Sequence, residues 1–151
     1  MQGFHIQIPK QTTMVYCVSE LARRSFAEVH KKQLDDAGKD YFNAHCYHVF
    51  KILKLVTNDE DILCAALLHD TLEDTDTSLE ELKKEFGDNI ANLVNEVTNE
   101  ESKNGKIFPR LNSEKAILIK FADRLSNLSR MECWNEKKKE WYLRKSKFWK
   151  N

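Results

Sequence analysis

The chain has 151 residues with 24 basic and 24 acidic side chains, so no global field draws it toward nucleic acid or a membrane surface. Only four glycines and two prolines stand among many Leu, Lys, Glu and Ala residues, which excludes a turn-rich sandwich and favours a single all-α domain with almost no strand. Cys17, Cys46, Cys64 and Cys133 form no C-x-x-C pair, and no run of about 18 apolar residues or signal peptide is present, so the expectation is a soluble, cytoplasmic protein with reduced thiols.

Apolar residues Val15, Val18, Leu21, Ala22, Phe26 and Val29 recur at three- and four-residue intervals, which predicts an amphipathic helix over residues 12–34, ending near Gly38. The same period from Ala44 to Val56 predicts a second helix, broken at Asn58-Asp59. A third carries Ile62 to Leu68, apolar on nearly every side, and belongs in the middle of the fold. Ser78-Leu-Glu-Glu81 is a capping box and Gly87 a C-terminal stop, so residues 79–86 form a short helix, followed by another from Asp88 to about Thr98. The polar stretch Asn99–Asn112, with Gly105 and Pro109, reads as the longest loop. Ser113 caps a helix to about Met131, and a charged, aromatic tail over 135–151 reads as a last helix or extension.

The densest chemistry is His69-Asp-Thr-Leu-Glu-Asp74, directly after the apolar run. Polar groups at the end of a buried helix need partners. His69 and Asp70 offer an imidazole nitrogen and a carboxylate oxygen to one ion, with Glu73 and Asp74 three to five residues further on, near enough to act on a water beside it. His45 begins one helix and Asp123 lies on another, so three helices can bring two histidines and two aspartates to one divalent ion. That donor set suits manganese, iron or zinc. His48 competes with His45 as a ligand or stands behind it. The bland reading of each element is local: a helix-end hydrogen bond for His69-Asp70, solvated acids for Glu73 and Asp74.

Taken together, His45, the segment His69-Asp70-x-x-Glu73-Asp74 and the segment Lys120-Phe-Ala-Asp-Arg-Leu-Ser-Asn127 resemble the HD phosphohydrolase superfamily, and within it the RelA/SpoT-type alarmone hydrolases. Supporting likeness runs from about Val29 to Leu128. The resemblance implies a helical bundle with one manganese ion on His45, His69, Asp70 and Asp123, and catalytic roles for Glu73 and Asp74 in hydrolysis of a small nucleotide, a (p)ppGpp-type 3′-pyrophosphate first among them. It also implies a nucleotide contact at Asn127, one helical turn after Asp123 and on the same face. Lys120 and Arg124 either approach phosphate or form salt bridges on their own helix. Arg110, beside the rigid Pro109, is a candidate substrate clamp together with Lys103 and Lys106.

Two departures from that family stand out. Where alarmone hydrolases carry an Arg-Lys pair before the glycine preceding the first metal histidine, this chain has Asp35-Asp36, and one extra residue separates Tyr41-Phe42 from His45. Two carboxylates facing a polyanionic nucleotide would repel it, so other substrates stay open: a 2′-phosphorylated cofactor, a deoxynucleotide or a cyclic nucleotide. If the two positions face substrate, restoring the basic pair should improve the handling of alarmones. The tail Lys137–Lys150 mixes seven basic with four aromatic residues, so a non-catalytic nucleic-acid or partner-binding module is the alternative from another class. Packing of Trp141, Tyr142, Phe148 and Trp149 onto the bundle is favoured over base stacking. Oligomeric state is left open.

Overall fold

The computed structural model describes residues 33–145, apart from the side chains of Ser102 and Lys106. The helix expected over 12–34 lies outside these residues except at its end, where Leu34 forms an isolated bridge with Asp40 instead of a helical turn. A π-helical turn, Phe42–Cys46, runs straight into α1, Tyr47–Lys54. After it come α2 (Glu60–Leu68), α3 (Thr71–Asp74), α4 (Leu79–Phe86) and α5 (Asp88–Val97). Strands β1 (Glu100–Ser102) and β2 (Gly105–Ile107) precede α6 (Glu114–Leu128), a 3₁₀ turn at Met131–Cys133 and α7 (Glu136–Lys145). The long helix expected to Met131 thus stops three residues earlier, at Leu128.

The core forms where the apolar period demands it. Every residue from Ile62 to Leu68 is buried, and α2 packs against α1, α5 and α6. Truncating one of these, such as the fully buried Leu67, to alanine should cost about 2–5 kcal/mol. The end of α2 is therefore fixed in position, and the His69-Asp70 pair directly after it inherits that rigidity. Helix starts agree with the chain's own signals. The Asp59 side chain accepts from the Ile62 N–H at 3.2 Å, and Ser78 and Glu81 cap α4 reciprocally. Gly87, at φ +85°, separates α4 from α5 in a backbone region that a side chain would strain.

One further expectation is corrected. The stretch 99–112 is not loop throughout: β1 and β2 pair antiparallel, with Ser102 opposite Gly105 and Glu100 opposite Ile107. Lys103-Asn104 form the two-residue turn, and Gly105, the first residue of β2, takes φ +105°. Beyond α2, which ends at Leu68 as expected, the chain turns at His69-Asp70 and restarts as the four-residue α3, which carries Glu73 and Asp74. In the tail, Tyr142 is buried edge-on against Trp134, ring centroids 5.1 Å apart, while Trp141 stays half exposed. Among the described residues no helix is long and apolar enough to cross a membrane.

Candidate metal centre

Three elements meet at one point. The π turn delivers His45, the end of α2 delivers His69 and Asp70, and α6 delivers Asp123. His45 and His69 are both 1% exposed, and their Nε2 atoms lie 3.2 Å apart. Donor atoms of His45, His69 and Asp70 all lie within 4.8 Å of one another. Asp123 adjoins this trio, with Oδ1 3.2 Å from His45 Nε2 and 3.8 Å from His69 Nε2. Asp70 turns Oδ2 to His45 at 3.5 Å and Oδ1 to His69 at 3.3 Å.

These separations fit a cation. Ligands about 2.1 Å from an ion and at right angles to each other stand about 3 Å apart. The His69 ring is fixed at one nitrogen: Nδ1 lies 2.8 Å from the Ala66 carbonyl, which only accepts, so Nδ1 carries hydrogen and Nε2 is the atom that offers its lone pair to a cation or takes up a second proton. Two ring nitrogens 3.2 Å apart beside two carboxylates need a proton or a metal ion between them. Burial opposes the His69 cation, but the charges of Asp70 and Asp123 outweigh it and lift the ring to about 9. The same pairing works in reverse on the acids. Against the penalty of burial, His69 and His45 hold the Asp70 carboxyl well below its ordinary range, and Lys120 with both histidines does so for Asp123. The cluster thus reads as a divalent-metal site of imidazole and carboxylate donors.

Several residues around it carried no sequence signal. The Tyr41 hydroxyl donates to Asp70 Oδ2 at 2.8 Å. Burial first, then the Asp70 charge, pushes that phenol far above its ordinary range, so it stays a donor. Ser126 Oγ lies 2.9 Å from His45 Nδ1 and 3.1 Å from His48 Nδ1, so His48 stands behind the donor set, not in it. The Arg130 guanidinium joins the Asp35 carboxylate at 3.2 Å, donates to Asn127 Oδ1 at 2.8 Å and sits over the Tyr41 ring.

The remaining expected site residues divide. Asn127 donates to Asp123 Oδ1 at 2.9 Å, beside the centre. Lys120 is buried, its Nζ 3.3 Å from Asp123 Oδ2 and donating to the Val97 carbonyl at 3.0 Å. Arg124, also buried, is sandwiched between the Phe108 and Tyr142 rings. Arg110 is exposed and lines a polar cleft of about 540 Å³ with Asn92, Asn95 and Glu96, to which none of the four candidate ligands contributes. Glu73 accepts from the Asn99 backbone N–H at 2.8 Å and from its side-chain amide at 3.0 Å, which ties α3 to the end of α5; Asp74 is exposed. Asp35 and Asp36 do not stand open: Asp35 accepts from the Ala37 and Lys39 N–H groups and pairs with Arg130, and Asp36 pairs with Lys138 of α7.

Residues 22–106 match the family model described as HD domain. Among similar proteins is the guanosine-3′,5′-bis(diphosphate) 3′-pyrophosphohydrolase MESH1 of Drosophila melanogaster, 35% identical over 133 residues, covering 79% of this chain and 74% of the fly protein. The Homo sapiens protein of the same name is 33% identical over 147 residues, covering 83% of this chain and 76% of its own. A guanosine-3′,5′-bis(diphosphate) 3′-pyrophosphohydrolase of Aquifex aeolicus is 36% identical over 75% of this chain, which spans only 18% of that longer protein. A solved structure of a metazoan SpoT ortholog, described as hydrolysing ppGpp with a role in starvation responses, superposes with a TM-score of 0.73 at 29% identity, covering 92% of this chain and 84% of the other. The chain belongs to the HD-domain family. Its relatives within that family are the MESH1- and SpoT-type pyrophosphohydrolases.

Proposed function

We propose that this chain is a metal-dependent guanosine-3′,5′-bis(diphosphate) 3′-pyrophosphohydrolase. The observation that carries the reading is the convergence of His45 Nε2, His69 Nε2, Asp70 and Asp123 within ion-binding distance of one another, in a chain whose relatives bear that activity. These four residues hold the ion, manganese ahead of iron or zinc on the donor set. When bound, a divalent ion supplies Lewis acidity, polarising a phosphoryl oxygen and making water a stronger acid.

The protein's own groups do the rest. Tyr41 and Asn127 fix the rotamers of Asp70 and Asp123 by direct hydrogen bonds, and Lys120 neutralises the second oxygen of Asp123. Glu73, held by two Asn99 donors one turn beyond the ligand pair, orients the attacking water and takes its proton, with Asp74 assisting. Water oxygen bonds to phosphorus, the ester to the ribose 3′ oxygen breaks, that oxygen takes up a proton, and guanosine diphosphate and pyrophosphate leave. Asn127 is the assigned nucleotide contact. Arg110, Lys120 and Arg124 are weaker candidates, because the first lines another cleft and the other two are buried against Asp123 and the rings. The free, buried thiols of Cys46 and Cys64 suit a reducing compartment, and the cytoplasm is the location we assign.

One observation favours a second reading of the substrate: the two acids that replace the family's basic pair are fastened to Arg130 and Lys138, so the usual cations are absent from that edge. A phosphorylated nucleotide other than the guanosine alarmone is then the substrate of the same centre. Phosphate and pyrophosphate release from a nucleotide panel, with manganese and then with chelator, decides. Manganese-dependent pyrophosphate release from guanosine tetraphosphate supports the first reading. Turnover of a 2′-phosphorylated cofactor, a deoxynucleotide or a cyclic nucleotide alone supports the second, and no turnover of any overturns both.

A further inference from the structure

The two histidines of the centre are fixed in different ways. His69 Nδ1 meets a carbonyl, which imposes its tautomer, whereas His45 Nδ1 meets the Ser126 hydroxyl, which both donates and accepts. A hydroxyl alone therefore leaves the His45 proton free to sit on either nitrogen. With the proton on Nε2, that nitrogen could not offer a lone pair to a cation. The choice matters because Nε2 is the atom that faces His69, Asp70 and Asp123.

Ser126 is fully buried, and its oxygen lies within hydrogen-bond distance of a second ring nitrogen, His48 Nδ1, at 3.1 Å. Its single proton can serve only one of the two rings, so the other ring must donate to it. The arrangement that leaves His45 Nε2 free runs in one direction: His45 Nδ1–H to Ser126 Oγ, then Ser126 O–H to His48 Nδ1, with the His48 proton on Nε2. We propose that Ser126 and His48 are positioning residues that hold His45 in its Nδ1-protonated tautomer and thereby set the affinity of the centre for a divalent cation. A neutral His48 is what its surroundings favour, since partial burial, then Lys51, His45 and Arg130, disfavour its cation. The inference rests on the reading of the four residues as a metal centre and names what tunes it. Partners of this kind behind a ligand are typically worth about 10–100-fold in metal affinity.

The test uses the full chain loaded with zinc, which is diamagnetic, and labelled with ¹⁵N at histidine. Long-range ¹H–¹⁵N correlation should find His45 protonated at Nδ1 and His48 at Nε2; His48 protonated at Nδ1 would overturn the relay. Zinc affinity, read by competition with a chromophoric chelator, should fall about 10–100-fold in Ser126→Ala and in His48→Leu. It should be retained in His48→Asn, whose amide oxygen can accept at the place of Nδ1. Equal loss in His48→Asn and His48→Leu, or no loss in Ser126→Ala and His48→Leu, refutes the assignment. His69→Ala separates the two levels. If it leaves zinc binding intact, the centre itself is misread; if it abolishes binding while Ser126→Ala and His48→Leu do not weaken it, only the positioning role fails. Should Ser126→Ala not fold, the tautomers of the unaltered chain and the His48 pair still decide.

Discussion

Replacing Lys120 with methionine keeps the length of a buried side chain and deletes its charge. Lys120 Nζ stands 3.3 Å from Asp123 Oδ2, and the two side chains are 5% and 9% exposed. At an effective dielectric constant near 20 a pair at that separation attracts by about 5 kcal/mol, and removing one partner of a buried pair costs about 3–5 kcal/mol. The Val97 carbonyl also loses its donor, roughly another 1 kcal/mol. We therefore expect urea unfolding of metal-free Lys120→Met to show a loss of about 4–6 kcal/mol. In saturating manganese the ion compensates Asp123 in place of the ammonium, and the loss should shrink by about 2 kcal/mol. By the same thermodynamic cycle, the variant must then bind manganese about thirtyfold more tightly than the original chain. An equal loss with and without metal, or weaker manganese binding, would refute both the placement of the ion and the role of Lys120 in holding Asp123.

Asp70→Ala and Asp123→Ala should lose metal and turnover together, whereas Glu73→Ala should keep metal, measured by titration, and lose turnover; equal metal loss in all three removes Glu73 from its assigned role. Asp35→Arg combined with Asp36→Lys should lower stability by about 2–3 kcal/mol and reduce activity, because Asp35 forms three hydrogen bonds of about 1 kcal/mol each and an arginine there repels Arg130; improved alarmone turnover would return these positions to the pocket. Asp59→Ala should cost about 1–2 kcal/mol at pH 7, from the lost cap of α2 and the lost pair with Lys115. The Lys115 hydrogen bond chiefly holds the Asp59 carboxyl below its ordinary value, so its contribution is complete above about pH 4 and vanishes as pH falls through the folded-state value. Thermal melts of the two proteins should therefore converge in acid, and a constant gap would exclude the ionised cap.

The four candidate ligands were legible because together they resemble a family's motifs, while local signals placed only the elements that carry them. The apolar run of α2 points to His69-Asp70, and the capped helix after Ser113 carries Asp123. Residues that act through contacts distant in sequence were not legible. Tyr41 reaches Asp70 across 29 positions, and Ser126 reaches His45 across 81. Nothing in the periodicity around either residue marks it as more than a helix side chain. Asp35 and Asp36 illustrate the opposite failure: their charge was plain, but its sign toward substrate depended on Arg130 and Lys138, which lie 95 and 102 residues away. The α3 turn escaped because four residues are too few to establish a period, and the hairpin because its strands pair over only three residues each.

The π turn at Phe42–Cys46 bears on the one extra residue that the family resemblance implies between Tyr41-Phe42 and His45. An α-helix advances about 100° per residue, so an insertion accommodated in α geometry would swing His45 a quarter-turn or more relative to Tyr41. Here the Tyr47 N–H reaches back five residues to the Phe42 carbonyl, a wider coil with room for one residue more than an α turn. The phenol upstream still touches Asp70 and the imidazole downstream still touches His69. A turn of this kind takes up one residue more than an α turn inside a helix, at the edge of the candidate metal centre, and leaves the residues on either side in contact with it.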